Sequence, residues 1–183
     1  MNILLGQEAI GKFNNCSFVY RRIGKIAEAI RHQSREYLQN LSHDDVDKND
    51  TIVEDFPNLD VVCFQEVFDR VHALALISLI RNHYSHFIYD ISHNTLKTNH
   101  FLLNSGLMVA SKYPIIKTHF HPFSWKTSLW QRCICYGVVV CKLDLGGDNV
   151  GVVANLHTMA YEGEDHLIDA ALTEVQTVMK TFR

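Results

Sequence analysis

Leu59-Asp60-Val61-Val62-Cys63-Phe64-Gln65-Glu66-Val67-Phe68-Asp69 is the stretch on which the fold of this chain turns. Its short apolar, β-branched run has the pattern of a strand buried on both faces, and it delivers a carboxylate, Glu66, at its carboxyl end before a helix starts at Asp69. In open α/β sheets ligands gather at that end. A glutamate there is costly to desolvate unless its charge is compensated, and a hard cation such as Mg2+ is the usual compensation. On the residues alone a second reading stays open, in which Glu66 simply points to water as the strand emerges.

Outward from this strand the chain alternates helical and extended patterns. Upstream, Phe18 to Leu38 carries Val19, Ile23, Ile26, Ala27 and Ile30 at the spacing of one helical face. Arg21, Arg22, Lys25 and Arg35 fall mostly elsewhere, either as a solvated face or as a patch for anionic phospholipid. Residues 41–58 are polar and acidic and read as a loop or insertion, without the spacing or central Gly of an EF-hand.

Downstream, Asp69 is placed to cap a helix running to about Asn82, with Val71, Leu74, Ala75 and Ser78 expected on its inner face. Phe87-Ile88-Tyr89 and Gly106 to Ala110 read as strands, the second ended by Pro114. Cys133 to Leu145 and Val150 to Leu156 are β-rich runs joined by Gly146-Gly147-Asp148-Asn149, a hairpin signal. From about Asp165 the positions Ile168, Ala171, Leu172, Val175, Val178, Met179 and Phe182 predict a closing helix.

A chain of 183 residues with 47% apolar residues suits one globular domain, 1–183. The net charge of −3 supplies no basic footprint, so no nucleic-acid partner is expected. Cys16, Cys63, Cys133, Cys135 and Cys141 are odd in number and sit mostly in strand-like runs, which suits a reduced interior. Cys133 and Cys135 lack a second Cys/His pair at zinc spacing and are read as core. The opening Met1 to Leu5 is too short for a signal peptide, and no segment is long and apolar enough to span a bilayer; were the chain complete, any membrane association would be peripheral.

Three stretches in order carry a resemblance. Leu59 to Asp69 resembles the Gln-Glu strand of the endonuclease/exonuclease/phosphatase superfamily, and its Val67-Phe68-Asp69 tail is similar to the neutral sphingomyelinase branch. Asn104-Ser105-Gly106-Leu107 through Ile115 resembles the Asn-Ser-Gly-Leu block of that branch, and Asn155-Leu156-His157-Thr158 its Asn-x-His block. The resemblance implies an α/β fold, a four-layered α/β/β/α sandwich of mixed sheets like that of deoxyribonuclease. It also implies a Mg2+-dependent hydrolysis of sphingomyelin to ceramide and phosphocholine.

Phosphodiester hydrolysis needs a metal to blunt phosphate charge, a base to activate water and donors for the developing charge. The resemblance assigns Glu66 to the metal and Asn2 to the metal and phosphate centre. Asn104 is assigned to hydrogen-bond phosphate, although an Asn that shapes the turn before Gly106 is the other reading. His157 is expected to contact the scissile phosphate as charge develops, with Asn155 beside it on the substrate side. In the segment Thr118 to Arg132 that branch carries an Asp and a Lys that pair. Here the positions read Thr127 and Arg132, so a positive charge for substrate survives at Arg132 but the ion pair does not. Phe123, Trp125 and Trp130 are either a lipid-facing lip or core.

The branch has a strand before Asn2, and after its last helix it continues to an Asp-x-Asn block and a closing Asp-His pair whose histidine is the general base. The sequence reaches Arg183 before either, so the expectation is the amino-terminal part of a catalytic domain, incomplete at the carboxyl end. The expected setting is a membrane surface, on the cytoplasmic side, with sphingomyelin as partner. Two alternatives stand beside this reading: a catalytically inactive lipid-binding or interaction module, and a nuclease or inositol-phosphate phosphatase of the same superfamily.

Overall fold

A computed structural model of the chain describes residues 2–5, 18–40, 59–92, 103–124, 134–158 and 165–182. Residues 41–58, expected to be a loop or insertion, and Thr127, Arg132, Trp125, Trp130 and Cys133 lie outside them. The elements run β1 (Asn2–Leu5), α1 (Val19–Asn40), β2 (Val61–Val67), α2 (Arg70–Ile80), β3 (His86–Ile88), β4 (Met108–Ser111), β5 (Ile115–Pro122), β6 (Gly137–Gly146), β7 (Asn149–His157) and α3 (Asp165–Phe182). One sheet has the order β1-β2-β4-β3 and the other β5-β6-β7. β1 runs parallel to β2, the other pairings between these strands are antiparallel, and an isolated parallel bridge joins Leu103 to Ile134.

Strand alternation sorts the apolar side chains into three layers of core. On β6, Val138 and Val140 join Ala171, Val178 and Phe182 of α3, while Val139, Cys141 and Leu143 face Leu107 and Val109 of the other sheet. On β2, Val62 and Phe64 pack with Val19, Ile23 and Ala27 of α1 and Leu76 and Ile80 of α2, while Val61 and Cys63 turn to the inter-sheet layer. The layers are therefore helices, sheet, sheet, helix, the α/β/β/α sandwich expected from the resemblance. Strands covered on both faces have to be apolar on both, which is why β2, β4 and β6 read as continuous runs.

The α1 face is the one its spacing predicts, with Val19, Ile23, Ala27 and Ile30 buried. Of its basic residues, Arg21 and Lys25 are exposed, whereas the Arg22 guanidinium donates to the Ile3 carbonyl and ties the helix to β1. The loop Gly146 to Asn149 is the hairpin turn joining β6 to β7, with positive φ at Gly146, Gly147 and Asp148. Asp69 caps α2, accepting from the N–H groups of Val71 (2.7 Å) and His72 (3.3 Å).

Three expectations change. The buried face of α2 is His72, Ala73, Leu76 and Ile80, and Val71 and Leu74 are 60% and 43% exposed. Arg70 to Ile80 is apolar almost all round, so periodicity cannot choose its inner face; packing on α1 and β2 does. On α3, Ile168 and Leu172 lie at the edge of the buried stripe and are exposed. Residues 115–122 form a strand, β5, which the sequence reading left unassigned. It is an edge strand with largely exposed side chains and a terminal Pro122, and so lacks the apolar signature of a buried strand. Phe123 is buried against β6 and α3, so of its two readings the core one holds.

Two outcomes check this packing. Leu76→Ala should cost about 2 to 5 kcal/mol in urea denaturation, and Val71→Ser less than about 0.5 kcal/mol. The buried Cys141 thiol is pushed up to about 12 by desolvation and, secondarily, by Cys63. Its folded pKa lies above the ordinary 9.0, so its contribution to stability is whole below that pH and declines as pH rises through it. Denaturation midpoints on either side of pH 9.0 should fall less in Cys141→Ala than in the wild type.

Candidate active site

The alternation along β2 breaks at Glu66. Val61, Cys63 and Gln65 occupy the face toward the second sheet by period-2 spacing, yet Val67 is buried on the helix side with Val62 and Phe64. The break is Glu66 itself, at φ +63. A non-glycine residue in the left-handed region costs on the order of 1 to 3 kcal/mol and persists where its surroundings fix it. Its effect is that neighbouring side chains, Gln65 and Glu66, both reach the mouth between the sheets.

β7 meets them there. Val153, Asn155 and His157 share the face turned toward the first sheet. The Glu66 Oε1 atom lies 3.9 Å from His157 Nε2, while His157 Nδ1 is 2.8 Å from the Ser105 carbonyl. A carbonyl only accepts, so Nδ1 carries the hydrogen, and the neutral imidazole presents an acceptor, Nε2, to Glu66. Phe68 and Tyr136 wall the ring, with centroids 5.7 and 5.0 Å from it. Burial pulls His157 below its ordinary pKa, against the Ser105 carbonyl and the Glu66 charge, which favour the imidazolium.

Asn155 is buried, and its amide is committed within the protein. Nδ2 donates to the carbonyls of Phe64 and Met108, each at 3.0 Å, and Oδ1 accepts from Gln65 Nε2 at 2.6 Å. This side chain pins β7 to both β2 and β4, with both its N–H groups given to strand carbonyls. Asn104 accepts from the Gly106 N–H at 2.8 Å and donates to Asp90 at 2.9 Å, the turn-shaping role its alternative reading described. At Gly106, with φ +67, a Cβ would meet a Phe68 ring carbon at 2.7 Å, and the Gly106 carbonyl accepts from Val67 N–H at 2.8 Å. The turn thus needs glycine both for its backbone and for the approach of Phe68.

Glu66 and His157 are therefore brought together with Asn155 two residues back on β7, and Asn104 precedes Ser105, whose carbonyl holds His157. Asn2 is placed by its backbone alone, in register with Gln65 on the neighbouring strand. Arg132 lies outside the described residues. Sequence reasoning assigned no role to Gln65, Ser105 or Tyr136. Alternation along β2 was the available signal for Gln65, and Ser105 sat inside a quoted block; nothing in the sequence pointed Tyr136 at His157.

Among the described residues no group of three His, Cys, Asp or Glu side chains converges as a metal cage. A single carboxylate with oxygen neighbours fits Mg2+, which keeps several waters and is completed by phosphate oxygens, and does not fit a thiolate or imidazole zinc site.

Residues 19–179 match the profile of the Endonuclease/Exonuclease/phosphatase family. Sphingomyelin phosphodiesterase 3 of Rattus norvegicus is 34% identical over 138 residues, covering 70% of this chain and 21% of its own length. The chain thus spans about a fifth of the curated relatives it matches. A β-hairpin deletion mutant of Staphylococcus aureus beta toxin superposes with a TM-score of 0.70 at 16% identity, covering 100% of this chain and 60% of that one. A second beta toxin variant from Staphylococcus aureus, solved with bound magnesium ions, superposes with a TM-score of 0.58 at 19% identity, covering 68% of this chain and 47% of that one. With a matching profile over most of its length and a sandwich that superposes on these structures, the chain belongs to the Endonuclease/Exonuclease/phosphatase family.

Proposed function

We propose that this chain carries the metal-holding and phosphate-contacting part of a Mg2+-dependent phosphodiesterase site, and that its protein hydrolyses sphingomyelin to ceramide and phosphocholine. The carrying observation is the approach of Glu66 and His157, 3.9 Å apart, from the carboxyl ends of strands in two different sheets. The identity to Rattus norvegicus sphingomyelin phosphodiesterase 3 supports the choice of substrate.

In this reading Glu66 holds the metal, with Asn2 on the adjacent strand as a neutral oxygen donor that adds no charge. Bound Mg2+ would neutralise phosphate charge and polarise a phosphoryl oxygen. His157 keeps Nδ1–H on the Ser105 carbonyl, so it contacts phosphate through Nε2. Neutral, it accepts a proton there; as the imidazolium, favoured by an incoming phosphate, it donates. Phe68 and Tyr136 exclude water from the ring and keep its orientation. Asn104 holds the turn that presents Ser105 and Gly106, and its Nδ2 has a second hydrogen for a phosphate oxygen. Arg132 is proposed for the substrate phosphate, and Asn155 for the frame on which His157 stands.

Hydrolysis adds water across the phosphorus–oxygen bond to ceramide: the water oxygen joins phosphorus and the ceramide oxygen leaves as a hydroxyl. By resemblance, the base that takes the water's proton belongs to an Asp-His pair after the last helix. Sphingomyelin resides in bilayers, so the protein would reach it from the surface on the cytoplasmic side. Among the described residues no helix is long and apolar enough to cross a membrane. Exposed Arg21 and Lys25 are proposed to favour anionic phospholipid there.

Phosphocholine release from sphingomyelin vesicles, by a protein that carries this chain together with the Asp-His pair, tests the proposal. Glu66→Gln should abolish turnover while leaving the thermal unfolding transition in place, and removing divalent cations with EDTA should do the same to the wild type reversibly. His157→Gln should lower kcat by about 100-fold or more, since it removes both the proton-holding and the charge-bearing atom. Undiminished release by Glu66→Gln would remove the metal assignment, and faster cleavage of plasmid DNA than of sphingomyelin would overturn the substrate.

A further inference from the structure

Gln65 reaches the mouth between the sheets beside Glu66, and its Nε2 donates to Asn155 Oδ1 at 2.6 Å. The place of that bond matters. The β2–β4 ladder has its last rung at Phe64 and Met108, and beyond it β2 continues beside β1, with Asn2 opposite Gln65. Asn155 sits in this fork, donating to both carbonyls of the last rung. Glu66, immediately past the fork, holds its positive φ. Three hydrogen bonds bracket it: Asn155 to the Phe64 carbonyl, Gln65 to Asn155, and Val67 N–H to the Gly106 carbonyl. Two of the three run through the Asn155 amide.

The same strand carries His157 two residues on, facing the same way. Displacing Asn155 therefore moves both partners of the 3.9 Å approach. We infer that Gln65 is a positioning residue that clamps Asn155 from below and thereby keeps Glu66 in its left-handed conformation, aimed at His157.

The chemistry favours an amide at position 65. With both Asn155 N–H groups committed, its oxygen needs a donor, and Gln65 supplies one without adding charge beside a carboxylate. A glutamate there would set acceptor against acceptor, and a methionine would fill the volume without the bond. Residues that orient metal ligands in this way typically alter affinity or rate by about 10- to 100-fold when replaced.

The inference rests on Glu66 serving as the metal ligand of the proposed phosphodiesterase, so its test includes an arm that needs neither metal nor substrate. In the metal-free protein, NMR of the Glu66 amide reports its φ through the HN–Hα coupling and the sequential nuclear Overhauser contacts. The wild type should show the left-handed signature, and Gln65→Met and Gln65→Glu should lose it while retaining the global unfolding transition. In calorimetry with MgCl2 alone, both variants should bind about 10-fold more weakly. In turnover, both should lower kcat with KM unchanged once rates are divided by the folded fraction read from the unfolding transition, which removes the contribution of a general loss of stability. Adding Gln65→Met to Asn155→Ala should change nothing further, because the effect passes through Asn155.

A left-handed Glu66 in both Gln65 variants would overturn the inference, as would Gln65→Met and Asn155→Ala acting independently on the Glu66 signature. If the signature is present in the wild type and lost in the variants, while a protein carrying this chain together with the Asp-His pair releases no phosphocholine, the sphingomyelinase reading falls and the positioning role stands.

Discussion

The mouth between the two sheets depends on one buried amide. Asn155 donates across the sandwich to the Phe64 and Met108 carbonyls and accepts from Gln65, at the point where β2 and β4 part. Beside it His157 Nδ1 donates to the Ser105 carbonyl, and the rest of the described inter-sheet layer is largely apolar, with Val139, Cys141 and Leu143 against Leu107 and Val109. Apolar contact is strong but non-directional; it sets the separation of two layers better than it sets their register. A directional set of hydrogen bonds in a buried setting supplies register, and leaving those groups unpaired would cost about 1 to 3 kcal/mol each. Because Glu66 and His157 lie within two residues of the pinned positions, register at the pin becomes geometry at the site.

The left-handed turn at Glu66 has the same logic. A regular strand would send Gln65 and Glu66 to opposite faces and bury the carboxylate under the helices, where its charge would find no water. One strained residue avoids that outcome and restores the apolar alternation at Val67. The opposing turn is built to match: Asn104 and Ser105 close on the Gly106 and Leu107 N–H groups, and Gly106 lets Phe68 approach to where a Cβ would clash. These local devices bring a carboxylate and an imidazole together at the mouth between the sheets.

Most of the architecture was legible because buried strands and amphipathic helices write local patterns. The β2 run, the Gly146 to Asn149 hairpin and the Val19 to Ile30 face of α1 follow from spacing alone. The inner face of α2 did not, since Val71, Leu74, Leu76 and Ile80 give that helix no polar side to exclude. Strand β5 has no fully buried side chain and carries His119 and His121, so it writes no apolar run. Glu66 and His157 stand out in the sequence as candidates because each lies near the carboxyl end of a strand within a motif. The Gln65–Asn155 bond could not be read, because its partners are 90 residues apart and meet only when two sheets stack.

The central claim is that Glu66 and His157, joined across two sheets, form one metal-dependent centre, and Mn2+ titration of the isotopically labelled protein tests it most directly. Paramagnetic broadening depends on distance from the bound ion, so the first resonances lost identify the site without substrate or turnover. The account predicts that Glu66, Gly106 and the His157 ring broaden together at the lowest Mn2+ additions, while the β6–β7 turn at Gly147 stays sharp. Broadening centred anywhere else, or none at additions that saturate a magnesium-type site, would contradict it.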